Sequence, residues 1–174
     1  MTPFEKIRAI AFDVDGVMTD GGLICFDDGN FIRVFDAKDS MALRVASLQD
    51  IKLAVITGGV SPSLVQRFKK CGVPLEDIYL HSRDKMRDFR RFCERHSLSP
   101  DEVLYAGDDL PDIPVVKAAG IGAAPCDAVP ELLACADFVS SRPGGKGCIR
   151  EICELVLKSQ GKWELDIAGY EKMY

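Results

Sequence analysis

Histidine is nearly absent from this chain: its 174 residues hold two, His81 and His96. A Ser–His–Asp triad therefore has little material to work with. The seven cysteines are odd in number, scattered, and without a CxxC pair. That argues against a disulfide frame or a zinc site and for reduced thiols packed as small apolar residues. No apolar run approaches the roughly 20 residues that a membrane span needs, and the opening stretch MTPFEKIRAI has no signal-peptide core. A cytoplasmic location away from membranes is the expectation. Basic residues are not in excess either. The net charge is −5, with both signs mixed along the chain, so no nucleic-acid footprint is expected. Internal repeats, low-complexity segments and linkers are also missing. With 47% hydrophobic residues, the chain should bury one core and form a single domain over residues 1–174, with a weakly patterned tail over 161–174.

What the sequence does have is alternation. IRAIAF (7–12), KLAVIT (52–57), IYL (78–80), VLYAG (103–107), GIGAA (120–124) and DFVS (137–140) read as strands. Between them lie helical patterns: one after Asp39 with Met41, Ala42, Val45 and Leu48 in register and Asp39 as its N-cap, and one opened by Ser61 and Pro62. Others cover 84–96, 111–119 and about 148–159. Residues 23–35 read as a hairpin turning at DDGN, which makes Asp27 and Asp28 turn residues. Strands alternating with helices predict a Rossmann-like three-layer α/β domain with a mostly parallel sheet.

In such sheets, ligands bind at the carboxyl ends of the strands. Those ends carry Asp13 and Asp15, then Thr57 with Gly58 and Gly59, then Lys85, then Asp108, Asp109 and Asp112. Clustered carboxylates repel unless a cation neutralises them, and oxygen ligands alone favour a hard ion such as Mg²⁺. A hydroxyl, amides beside glycines and a lysine suit a phosphoryl group. Together these groups read as phosphoryl transfer. Asp109 and Asp112 also fit as carboxylates favoured at a helix N-terminus, and His81 fits as a surface polar residue.

DVDGV, TGG, Lys85 and GDDLPD, in this order and spacing over residues 9–112, resemble the four motifs of the haloacid dehalogenase superfamily. The resemblance implies Asp13 as nucleophile and Asp15 as general acid/base. It implies Mg²⁺ held by Asp13, the Asp15 carbonyl and Asp108. Thr57, Gly58 and Lys85 would bind the phosphoryl oxygens, with Asp109 and Asp112 behind the metal. A receiver-like signalling domain also uses Asp, Thr and Lys, but its acid pair is usually adjacent, unlike Asp13-Val-Asp15.

No cap domain fits between the motifs, and the hairpin is apolar on both faces (Leu23, Ile24, Cys25, Phe26; Phe31, Ile32, Val34, Phe35). A projecting ribbon of this kind should bury itself against a neighbouring subunit. Over nearly the whole chain, the hairpin followed by FDAKDSMAL, GDDLPD and RPGGKGCIREICELVLKSQGKW is similar to the capless phosphatases of 3-deoxy-D-manno-octulosonate 8-phosphate (KDO 8-phosphate). That resemblance implies a homotetramer, a C-terminal segment reaching a neighbour's site, and Lys146 and Arg150 as contacts to the sugar-acid carboxylate. Gly59 and Leu80-His81 depart from the pattern of many relatives. Phosphatases of nine-carbon sugar acid 9-phosphates are the alternative.

Overall fold

Four consecutive apolar residues, Ala9–Phe12, form strand β1 and are buried at every position. A strand apolar on both faces belongs inside a sheet covered on both sides. In this computed structural model, which describes residues 3–163, β1 lies in that place. The remaining strands are β2 (Ile24–Cys25), β3 (Phe31–Ile32), β4 (Lys52–Ile56), β5 (Ile78–Tyr79), β6 (Val103–Ala106), β7 (Ile121–Ala124) and β8 (Phe138–Val139). Six of them form one parallel sheet in the order β5-β4-β1-β6-β7-β8. The helices are α1 (Ala37–Leu48), α2 (Pro62–Lys70), α3 (Lys85–His96), α4 (Ile113–Ala118), α5 (Pro130–Leu133) and α6 (Cys148–Ser159).

Alternation along the strands divides the core in two. Ile10, Phe12, Leu53, Val55 and Leu104 pack against Leu43, Phe68, Ile152 and Val156 of α1, α2 and α6. Ala9, Ala11, Ile56 and Tyr105 meet Phe89, Phe92, Val115 and Leu132 of α3, α4 and α5. The expected three-layer α/β sheet is present, and each expected strand begins and ends within one or two residues of its reading. The four-residue α5 and a 3-10 turn at Pro3–Lys6 were not anticipated, being too short to show a period.

One helix start is corrected. The N-cap of α1 is Asp36, not Asp39: its carboxylate accepts from the amides of Lys38 and Asp39 at 2.6 and 3.2 Å. Both aspartates suit the pattern, but Asp36 has the extended backbone of a cap. Asp39 is buried in the first turn and serves a different helix. Its two oxygens accept from Gly147 N at 3.2 Å and Arg150 N at 2.7 Å. They supply the N-terminal partners that Gly147, the side-chain-free cap of α6, lacks.

β2 and β3 form the expected hairpin, apart from the main sheet. Asp28 closes its turn by accepting from Asn30 N and Nδ2 at 2.9 and 2.8 Å. Ile24, Phe26, Ile32 and Val34 are about half exposed, whereas Phe35 returns to the core beside Phe68. Only this hairpin and α1 lie between β1 and β4, and only α2, a 3-10 turn at Leu75–Asp77 and β5 between β4 and α3. No cap domain interrupts the described residues, and no helix among them is long and apolar enough to cross a membrane.

The borrowed cap carries a stability prediction. Asp39→Ala should lower the unfolding free energy by about 1–2 kcal/mol, and Asp39→Asn, which keeps one acceptor, by less. Urea denaturation followed by circular dichroism measures both.

Candidate active site

The loop after β1 turns back on itself as soon as Phe12 leaves the sheet. Met18 N and Thr19 N both reach Val14 O, and the buried Thr19 hydroxyl accepts from Gly16 N and Gly21 N. This tight loop places Asp13 at the end of β1, with Oδ1 on Val14 N at 2.7 Å. Gly16 has φ +89°, and a Cβ there would overlap the Asp108 carboxylate, so glycine is what allows the two acidic loops to touch. Asp108 follows β6, the neighbour of β1.

Lys85 begins α3, and its buried ammonium stands 2.8 Å from Asp13 Oδ2 and 2.7 Å from Asp112 Oδ1. Asp112 is fully buried, and its Oδ1 also accepts from the Tyr105 hydroxyl at 2.5 Å. Oδ2 of Asp112 accepts from Asp108 N and Asp109 N at 3.3 and 3.4 Å. Thr57 is buried at the end of β4, where its hydroxyl accepts from Gly59 N at 3.1 Å. Asp13, Thr57, Lys85, Asp108 and Asp112 line a cavity of about 370 Å³ together with Asp15, Gly58, Gly59, Ser82, Arg83, Asp109 and Pro111.

The cluster is short of positive charge. Burial, and then the charge of Asp112, push the Asp13 carboxyl up to about 6 despite Lys85. Burial, and then Asp13 and Asp112, push Asp108 to about 8. Burial also works against the charge of Lys85, but Asp13 and Asp112 outweigh it and hold its ammonium above the ordinary lysine value. Among the described residues, one Asp108 oxygen is buried without a hydrogen-bond partner. Asp13, Asp108 and Asp112 each offer an oxygen, all within 4.8 Å of one another. An orphaned buried oxygen in an all-oxygen set fits a hard divalent cation.

Most expected site residues thus converge. Asp109 lies at the cavity mouth and caps the 3-10 turn Leu110–Asp112 through Leu110 N at 2.7 Å. Asp112 ties Lys85 to the loop after β6. Lys146 and Arg150 do not line this cavity. Lys146 is exposed, 3.5 Å from Asp20, while Arg150 pairs with Glu154 and lies 4.6 Å from the Trp163 ring centre. The glycines of PGGKG approach this chain's own first loop, where Gly145 N donates to Val17 O at 2.9 Å. His81 is exposed with φ +52° and does not line the cavity. Ser82 does line it, and its hydroxyl donates to Asp88. Unforeseen in the sequence was Arg33, whose guanidinium grips Asp15 through Nε and Nη2 at 2.5 and 2.8 Å.

A family model described as haloacid dehalogenase-like hydrolase matches residues 62–149, and the chain belongs to that family. Within it, the chain is a phosphatase. It is 36% identical to 3-deoxy-D-manno-octulosonate 8-phosphate phosphatase KdsC of Escherichia coli K12 over 158 residues, covering 91% of this chain and 83% of that protein. A crystal structure of the Yersinia pestis enzyme of that name superposes with TM-score 0.90 at 34% identity, covering 93% of this chain and 86% of the other. The Moraxella catarrhalis enzyme, solved with magnesium ion, phosphate ion and KDO, gives TM-score 0.90 at 31% identity over 97% and 95% of the two chains.

The raised carboxyls set a pH dependence that can be measured without turnover. A carboxyl whose folded pKa lies above its unfolded value stabilises the fold below the unfolded pKa and loses that contribution as pH rises through the folded one. For Asp13 and Asp108 the window runs from 3.8 to about 6 and about 8. Mg²⁺ should therefore raise the melting temperature more at pH 8 than at pH 5, as read by differential scanning fluorimetry.

Proposed function

We propose that this chain is a Mg²⁺-dependent phosphomonoesterase acting through an aspartyl-phosphate on a sugar-acid phosphate, with KDO 8-phosphate as the foremost substrate. The observation that carries the reaction is the trio Asp13, Asp108 and Asp112, whose carboxylate oxygens converge within 4.8 Å while Lys85 bridges Asp13 to Asp112. The relatives' substrate, and the magnesium, phosphate and KDO in one relative, support the assignment to this chain.

Asp13 attacks phosphorus through a carboxylate oxygen, and the ester P–O bond breaks. Asp15 protonates the departing sugar oxygen, then takes a proton from the water that attacks the aspartyl-phosphate and frees Asp13. Lys85, Thr57 and the amide of Gly58 bind the phosphoryl oxygens and match the charge that spreads over them. Asp13, Asp108 and the Asp15 carbonyl are the metal-holding groups, with Asp112 and Asp109 behind them. Mg²⁺, when bound, supplies charge neutralisation for the acids and the phosphoryl group.

The assembly is proposed to be a homotetramer in which hairpins pack together, as the half-exposed Phe26, Ile24, Ile32 and Val34 suggest. Lys146, Arg150 and the tail would then meet the sugar acid in a neighbour's cavity. The tail beyond Trp163 lies outside the described residues. Seven unpaired cysteines support a place in the reducing cytoplasm.

Phosphate release from a panel of sugar-acid phosphates tests the substrate. KDO 8-phosphate should exceed nine-carbon 9-phosphates and ribose 5-phosphate in kcat/KM, and EDTA should abolish turnover until Mg²⁺ is returned. A preference for the nine-carbon esters reverses the assignment. Asp13→Asn should cost at least about a thousandfold in kcat with the circular dichroism spectrum intact.

The hairpin carries a separate prediction. Phe26→Asp with Phe31→Asp should give smaller species by light scattering, because charges buried in an interface cost several kcal/mol, on the order of 2–7 per unpaired group. Turnover of p-nitrophenyl phosphate should fall less than that of KDO 8-phosphate.

A further inference from the structure

Arg33 follows β3 between two exposed residues, Ile32 and Val34, yet its own side chain is only 6% exposed. Three neighbours enclose it. Asp15 takes both its Nε and its Nη2, in the parallel fork that matches a guanidinium to a carboxylate. The Phe31 ring centre lies 4.6 Å from its Cζ. On the third side is Gly59, where a Cβ would come within 2.7 Å of Nη2. Any side chain at position 59 would crowd the fork. Asp15 and Gly59 are both in the wall of the catalytic cavity, so the guanidinium stands at that wall although it is carried by the hairpin.

The fork conflicts with the task of Asp15. A carboxyl group that is to give a proton to a leaving oxygen has to turn an oxygen toward it, and here both oxygens are engaged by Arg33. Asp15 is usable only after at least one of these bonds opens. Among the described residues, the charged groups that line the cavity are the acids Asp13, Asp15, Asp108, Asp109 and Asp112, one lysine already shared between two of them, and Arg83. Among the described residues, the cations that a substrate carboxylate can meet there besides Lys85 are Arg83, in the lining, and Arg33, behind Asp15 and Gly59.

We propose that Arg33 is a latch on Asp15 that the substrate's own carboxylate opens. The acid group of the substrate takes the guanidinium fork, and Asp15 is released toward the leaving oxygen. One carboxylate replaces another on the same fork, so Arg33 gives up little in the exchange, whereas a phosphate ester without a carboxylate has to open the ion pair unaided. Arg33 thereby becomes a positioning residue for Asp15 and a specificity residue for acidic substrates. The inference rests on the proposed role of Asp15 and the proposed sugar-acid substrate.

The test uses the full chain with Mg²⁺ and compares wild type, Arg33→Ala, Arg33→Lys, Gly59→Ala and Arg83→Ala. Substrates are KDO 8-phosphate and p-nitrophenyl phosphate, and the affinity for KDO itself is measured by calorimetry. In Arg33→Ala, kcat/KM for KDO 8-phosphate should fall about 10- to 100-fold, chiefly through KM, the range set by hydrogen bonds to a charged group. KDO affinity should fall in parallel, while kcat for p-nitrophenyl phosphate rises as Asp15 is freed. Arg33→Lys should restore part of the KDO affinity, since it keeps the charge without the fork. Gly59→Ala, which displaces Nη2 while leaving Arg33 in the chain, should also raise p-nitrophenyl phosphate turnover, and it decides the matter if Arg33→Ala does not fold. Equal losses on both substrates, unchanged KDO affinity in Arg33→Ala, or a KDO defect found in Arg83→Ala instead would overturn the latch. A wild-type enzyme without preference for KDO 8-phosphate would refute the substrate assignment. The latch would then stand or fall on whether p-nitrophenyl phosphate turnover rises in Arg33→Ala and Gly59→Ala.

Discussion

One buried ammonium joins the reactive end of this molecule. Lys85 reaches from the start of α3 to Asp13 after β1 and to Asp112 beyond β6, so three separate segments meet on a single charge. Two unit charges of like sign at 4 Å repel by about 4 kcal/mol at a typical near-surface dielectric. Asp13, Asp108 and Asp112 would drive their loops apart without it. Tyr105 and the amides of Asp108 and Asp109 absorb part of the charge on Asp112. What is left falls on Asp13 and Asp108, whose carboxyls are raised first by burial and then by the neighbouring carboxylates. The same imbalance that makes the site costly to assemble suits its oxygen cluster to a divalent cation.

The sheet order turns this local chemistry into a site. β4 and β6 flank β1 on either side, so Thr57, Asp13 and Asp108 stand in a row at one edge. Parallel strands present all their carboxyl ends on that edge, and the amides and side chains that follow them are held by a core packed on both faces. Without an inserted cap, the hairpin reaches the cavity wall directly, through the bonds of Arg33 to Asp15.

The acids at strand ends were legible because a carboxylate that closes a buried strand has no packing role to hide behind. Position along a strand was also enough to bring Thr57, Gly58 and Lys85 to them. Other features depended on partners far away in sequence. Asp36 and Asp39 are both acceptable caps in FDAKDS, and only the fold reveals that Asp39 is used by α6. In FIRVF, Arg33 is one polar residue in an apolar ribbon, and nothing local says that it turns back to Asp15 eighteen positions earlier. Lys146 and Arg150 were legible only as cations. The partner of Lys146, Asp20, follows from where the segment before α6 docks, whereas Arg150 meets Glu154 one turn along its own helix.

The tie from Asp39 to α6 spans 108 and 111 positions, and it bears on how the chain folds. Closing so long a loop is entropically costly, and long-range pairing slows folding. On a ribosome, α1 emerges long before the helix whose N-terminus it caps. Until residues 147–157 leave the exit tunnel, the face of β1 carrying Ile10 and Phe12 lacks the cover that Ile152 and Val156 provide. The C-terminal helix therefore acts as a closing bolt, and truncated or stalled chains expose an apolar sheet face to whatever chaperone or neighbouring chain is at hand.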